Sequence, residues 1–141
     1  MVLATNAPNG CWTAPVYYVF ARAGFYFFSS PEARHIQHNA ADDRAAASIY
    51  YDNGHWEDIQ GLQMSGHIHP VRQKTEKLDA MARFLLRFPF AAPFLEAGKS
   101  KGTSLPKLGN RVGLYCFVPL TAFYTNNRLG FGKRIAVRVS R

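Results

Sequence analysis

Ser29, Ser30, Arg34 and His35 stand together in the stretch "SSPEARH". Hydroxyls, a guanidinium and an imidazole at that spacing are the parts of an oxyanion cradle. A serine hydroxyl donates to a phosphate oxygen, an arginine grips two oxygens at once, and the first amides of a helix aim unpaired N–H groups at the same place. "SSP" has the form of a helix start, with Ser30 as cap and Pro31 at the first helical position, so a helix is expected from Pro31 to about Ala40. There Glu32 suits the positive amino end and Arg34 opposes it, by roughly a few tenths of a kcal/mol. A bound anion reverses that penalty; without one, the stretch is a capped surface helix whose arginine reaches solvent.

Other residue groups compete for chemistry. His35 and His38 are spaced i,i+3 on the expected helix, and His67 and His69 i,i+2 on one strand face, so each pair can aim two imidazoles at one metal or haem. No HExxH and no carboxylate or cysteine at ligand spacing accompanies them, and no metal site is assigned. In "TNNRLGFGKR", Gly130 and Gly132 flank Phe131 ahead of Lys133 and Arg134, a pattern that lets backbone approach an anion, or simply turns a hairpin. Trp12 and Trp56, each beside a turn, are better placed to face a ligand than the strand phenylalanines. No side chain identifies itself as a general acid or base.

Short β-rich runs position these groups: Val2 to Asn6, Pro15 to Ala21, Phe25 to Ser29, Ala45 to Tyr51 and Gln60 to Val71. "APNG" and "ARAG" read as turns whose glycines supply positive φ, and "DNGH" links the fourth run to the fifth. In "LQMSGHIH", Leu62, Met64 and Ile68 alternate with Gln63, Ser65, His67 and His69, which separates a core face from a wet or ligand-facing one. "PVYYVF" is apolar on both faces, which calls for a second covering layer or another subunit. Leu78, Met81, Leu85 and Phe88 recur at helical spacing up to Pro89. A surface loop is expected from Gly98 to Gly109, followed by strands at Val112 to Tyr124 and Ile135 to Val139. The whole is a mostly β barrel with short helices at its ends.

One domain over residues 1–141 suits a chain of this length and a hydrophobic content of 48%. No apolar run is long enough for a membrane span, and no export signal opens the chain. Cys11 and Cys116, without CxxC spacing, read as free thiols in a reducing cytoplasm. A net charge of +8 favours an anionic partner, while scattered basic residues without a nucleic-acid motif place nucleic acid last among the candidates.

The order "WTAPVYYVF…ARH…IQGLQMSG…RFP…LGFGK" resembles the pyridoxamine 5′-phosphate oxidase-like FMN-binding split barrels, most closely their YhbP-type bacterial branch, over nearly the whole chain. The resemblance implies FMN as cofactor, and the two-faced apolar run Pro15 to Phe20, in a domain too small to cover it twice, leads to the expectation of a homodimer. It implies that Ser29, Arg34 and His35 hold the FMN phosphate with Ser30 beside them. The backbone of Trp12, Ala14 and Val16 would follow the isoalloxazine edge, Gln63 would reach the ring or ribityl chain, and Lys133 or Arg134 would meet a phosphate. The oxidase itself usually has lysine where His35 stands, which implies weaker or pH-dependent phosphate binding. It also has an arginine and a histidine near its carboxyl end, without counterpart in "NNRLGFGKRIAVR", so pyridoxamine oxidation is not expected. Family members usually carry a helix before the first strand, whereas this sequence opens on "MVLATN". The function expected is FMN binding, with or without oxidoreductase activity on an unknown substrate. The alternatives are a non-catalytic flavin, haem or metal-binding module and, last, a basic nucleic-acid-binding barrel.

Overall fold

A computed structural model of the chain describes residues 1–22, 24–95 and 112–139. Eight strands form one antiparallel sheet: β1 Val2–Ala7, β2 Gly10–Pro15, β3 Val19–Ala21, β4 Gly24–Ser29, β5 Arg44–Tyr51, β6 Gln60–Pro70, β7 Gly113–Asn126 and β8 Arg134–Ala136. Their order is β2-β1-β5-β6-β7-β4-β3, with β8 paired to the far half of β7. Helix α1 spans Arg34–Ala41, α2 spans Lys74–Arg87, and a single turn, α3, covers Ala92–Leu95. The expected loop from Gly98 to Gly109 and its lysines lie outside the described residues.

The sheet curls so that one face becomes a barrel interior. Leu3, Phe25, Phe27, Ala45, Ala47, Met64, Ile68, Tyr115 and Phe117 fill it, and Ile36 of α1 closes one end. A second core lies on the opposite face of β3, β4 and β7, where Tyr26, Leu114 and Cys116 meet Ala80 and Phe84 of α2. This explains the unbroken apolar run "GFYFF": Phe25 and Phe27 point into the barrel while Tyr26 and Phe28 point at α2, and a strand covered on both faces needs no polar side. Phe28 and Phe84 meet edge-on with ring centroids 4.9 Å apart.

Alternation along β6 is as expected. Met64 and Ile68 are buried and Leu62 packs on the core, while Gln63, Ser65 and His69 are exposed. A bulge between Ser65 and Gly66 shifts the register against β7. There a Cβ on Gly66 would sit 2.1 Å from the Val118 carbonyl oxygen, so only glycine fits.

Several expectations are corrected. Pro15 to Ala21 is not one strand: β2 ends at Pro15, Val16–Tyr18 is a connector, and β3 is confined to Val19–Ala21. "PVYYVF" is apolar on both sides because it crosses from one sheet edge to the other, so it is not a two-faced strand awaiting a subunit. The missed strand, Gly10–Pro15, lacks the β-branched density that marks its neighbours. "APNG" does turn at a positive-φ glycine, Gly10, but in "ARAG" the left-handed residue is Arg22, with φ 54. Gly24 is needed for space instead, since a Cβ there would lie 2.3 Å from Cys116 Sγ. On α2 the buried stripe is Ala80 and Phe84, and Leu78 faces solvent, because the large Phe84 ring turns the helix toward Phe28.

Candidate functional site

Helix α1 begins at Arg34, three residues later than its sequence suggests, with Ala33 at the capping position and no side-chain cap. Ser30 does not cap the helix. Its Oγ accepts from the Glu32 amide at 3.2 Å and closes a local turn, because the chain leaving β4 must turn before α1 can lie across the barrel end. Arg34 and His35 are thereby the first helical residues, and their amides are among the unpaired donors of the helix start.

The side chains of this first turn diverge. His35 is buried, and its Nε2 shares a hydrogen bond of 2.9 Å with Ser29 Oγ. Burial, then the neighbouring His38, pushes the His35 pKa below its ordinary value, so this imidazole is held neutral. Arg34 turns to the other side and is exposed. Its guanidinium carbon lies 4.5 Å from the centroid of Trp12, on β2, and its Nε donates to His38 Nε2 at 3.2 Å. Because His38 Nε2 accepts, the ring proton sits on Nδ1 and is directed at Thr5 Oγ1, 3.4 Å away inside the barrel. Trp12 and Thr5 are cross-strand partners, so the two strands present the aromatic ring and the hydroxyl on one face. Arg34 and His38, with Gln37 and the β1–β2 turn at Ala7, Pro8 and Asn9, line a cleft of about 570 Å³.

Two groups therefore flank the start of α1: Trp12, Arg34, His38 and Thr5 on one side, and Ser29 with His35 on the other. Among them, His38 and Thr5 had not been read as binding residues. His38 stood out only as half of a possible metal pair, and nothing in the sequence marks Thr5. Ala14 is buried, with its side chain toward Leu3, so only its backbone is available to a ligand. Since β2 ends the sheet order, the outer edge of that backbone faces no strand among the described residues. Val16 is half-buried, its amide donating to the Met1 carbonyl at 2.9 Å. It lines a second cleft at the far end of β2, considered below.

Gln63 and Lys133 are not brought to these groups within one chain. Gln63 lies exposed on the outer sheet face, in the cross-strand row Pro15, Val2, Ser48, Gln63, Phe123. Three strand spacings, roughly 14 Å, separate it from β2. Lys133 follows a turn at Gly130 and Gly132, both with positive φ, at the opposite end of the sheet from α1. There Trp56 packs edge-on against Phe131 and Arg128 pairs with Asp58.

The histidine pairs are otherwise employed. His35 and His38 are hydrogen-bonded as described, and His67 Nδ1 is 2.9 Å from Asp43 Oδ1. Among the described residues no three His, Cys, Asp or Glu side chains gather at metal-binding distance. Nor does any described helix have the length and apolar character to cross a membrane.

An antiparallel barrel split between two edge strands, with one helix over its end and another on its flank, is a split β-barrel. Solved structures of that fold agree. A haem-binding protein from Mycobacterium smegmatis superimposes with a TM-score of 0.74 at 17% identity, covering 98% of this chain and 52% of that one. A pyridoxamine 5′-phosphate oxidase-related, FMN-binding protein from Nostoc punctiforme gives 0.62 at 17% identity, covering 90% and 73%. Among curated sequences, the UPF0306 protein plu4501 of Photorhabdus laumondii is 26% identical over 138 residues, 96% of this chain and 84% of the relative. No family model matches the chain. The fold is thus shared with proteins described as haem-binding and as FMN-binding.

Proposed function

We propose that the chain binds FMN as a flavoprotein of the pyridoxamine 5′-phosphate oxidase-like split-barrel group, in its YhbP-type branch, and acts as an oxidoreductase on a substrate still to be identified. One observation carries this reading: Arg34 opens an uncapped helix, faces a cleft and has an aromatic ring and an imidazole for neighbours, and among the described residues no carboxylate pairs with it. A cation at the positive end of a helix is satisfied by an added anion, and a phosphate matches both the guanidinium and the free amides. The Ser29–His35 pair stands behind them. The exposed edge of β2 from Trp12 toward Val16 offers backbone donors and acceptors to a flat heterocycle. Bound FMN supplies the redox chemistry; the chain supplies phosphate binding, orientation and exclusion of water.

The reading includes a homodimer. The outer sheet face is lined by small side chains, Ala4, Ala46, Ser48 and Ser65, around Gln63, with Phe123 41% exposed. A second copy seated there would bring its Gln63 to a flavin that one chain alone cannot give it. Cys11 and Cys116 are free thiols, one exposed and one buried, which supports a cytoplasmic setting.

The haem alternative depends on His38, which lines the cleft, but both of its ring nitrogens are engaged by Thr5 and Arg34. Purification followed by flavin and haem absorbance, then titration of the apoprotein with FMN, tests the reading. Saturable FMN binding is expected. Haem bound in its place, with no response to FMN, would overturn it. Turnover of NADH or NADPH by the FMN-loaded protein then tests the oxidoreductase assignment.

A further inference from the structure

The second cleft, about 560 Å³, lies where the chain leaves β2 for β3, at the far end of β2 from Arg34. Tyr17, Tyr18, Tyr50 and Phe88 wall it, and Arg87 closes it. Arg87 is the last residue of α2, where a cation suits the helix dipole. Its guanidinium carbon lies 5.1 Å from the centroid of Tyr18 and 5.3 Å from that of Phe88. Tyr17 is braced edge-on by Phe88 at 5.1 Å and by Phe90 at 5.2 Å. Among the described residues no carboxylate pairs with Arg87.

Aromatic side chains that only fill a core are buried, yet Tyr17 is 62% and Tyr50 69% exposed where they line the same cleft as Arg87. A guanidinium resting on ring faces still has its edge N–H groups to offer, and these match a planar oxyanion in two-point fashion. The volume falls within the usual range of small-molecule sites. Flat walls select a flat ligand, and the cation selects its charge.

We propose that this cleft binds a planar aromatic carboxylate, with its ring between the tyrosines and its carboxylate on Arg87. The assignment stands on its own observations, separate from the Arg34 cluster. Where FMN is also bound, Val16, shared with the expected flavin edge, would make the occupant a neighbour of the isoalloxazine.

Calorimetric titration of the flavin-free protein with 2-naphthoate and with its neutral counterpart 2-naphthalenemethanol tests this. The carboxylate is expected to bind saturably and about tenfold or more tightly than the alcohol. Arg87→Gln should erase that preference while leaving alcohol binding in place, and Tyr18→Leu should weaken both. Thermal melts of the variants check that each is folded. Absence of saturable binding, equal affinity for acid and alcohol, or a preference that survives Arg87→Gln would each overturn the proposal. So would competitive displacement of naphthoate by FMN, which would make the cleft the flavin's own ring site. Failure of FMN to bind at all would defeat the flavin reading and leave this one to be decided by the naphthoate arms.

Discussion

Arg34 and His38, one turn apart on α1, are joined by a hydrogen bond from Arg34 Nε to His38 Nε2 of 3.2 Å. The direction of that bond fixes the proton of His38 on Nδ1 and aims it at Thr5, so a charge at the cleft and a hydroxyl inside the barrel are linked through one ring. Thr5→Val should leave the buried Nδ1–H without an acceptor and cost about 1–3 kcal/mol. Urea denaturation measures the loss, and nitrogen-detected NMR of the imidazoles should report the Nδ1–H form of His38 in the wild type.

His35 gives the fold a pH dependence of known sign. Its pKa is lowered from 6.5 in the folded protein, chiefly by burial, so below that value the unfolded chain binds more protons than the folded one. The contribution of His35 is therefore present above about pH 6.5 and is lost as the pH falls through the folded pKa. His35→Gln, which keeps a partner for Ser29, should flatten the acid side of a stability profile measured between about pH 7 and pH 5. An identical slope in both proteins would refute the burial argument.

Gly66 is expected to tolerate no side chain. A Cβ there would meet backbone on β7, at 2.1 Å from the Val118 oxygen and 2.8 Å from Pro119 Cα, and backbone cannot swing aside as a side-chain tip does. Gly66→Ala should cost about 1–3 kcal/mol or more, seen as a lower melting temperature. Gly54→Ala, with nothing within 4 Å of the new atom but a φ of +88, is a useful comparison because its strain is purely conformational.

The outer sheet face carries the dimer reading, and sedimentation should give about twice the 15.8 kDa chain mass. Phe123→Glu, at an exposed position in the row of Gln63, should shift the protein to monomer without unfolding it. A wild type that sediments as a monomer at micromolar concentration would remove Gln63 from the flavin site.

The barrel was legible because its signals were local. Alternation along Leu62 to Ile68 named the inner face, and "FYFFSS" followed by "ARH" put a strand end against a helix. The less legible parts depend on contacts distant in sequence. "GCWTAP" becomes a strand through pairing with β1, from Ala7 opposite Gly10 to Val2 opposite Pro15, which its own propensity does not demand. Ser30 followed by Pro31 has the form of a helix cap, yet docking Ile36 into the barrel end moves the start to Arg34. Of the partners of Arg34, His38 stands at helical i,i+4 spacing, whereas Trp12 comes from a strand that no spacing rule connects to α1. The aromatic cleft likewise joins a connector, a mid-chain strand and the end of α2.

The flavin assignment is tested most directly by titrating FMN and riboflavin against wild type and Arg34→Ala. Arg34 is exposed, and its ring contact with Trp12 is worth about 0.5–1 kcal/mol, so the variant should fold with little loss. Losing a charge-assisted contact to phosphate of roughly 1.5–3 kcal/mol should weaken FMN about tenfold to a hundredfold. Riboflavin, which has no phosphate, should bind both proteins equally. An FMN affinity unchanged in Arg34→Ala, or an equal loss for both flavins, would contradict the phosphate site at the start of α1.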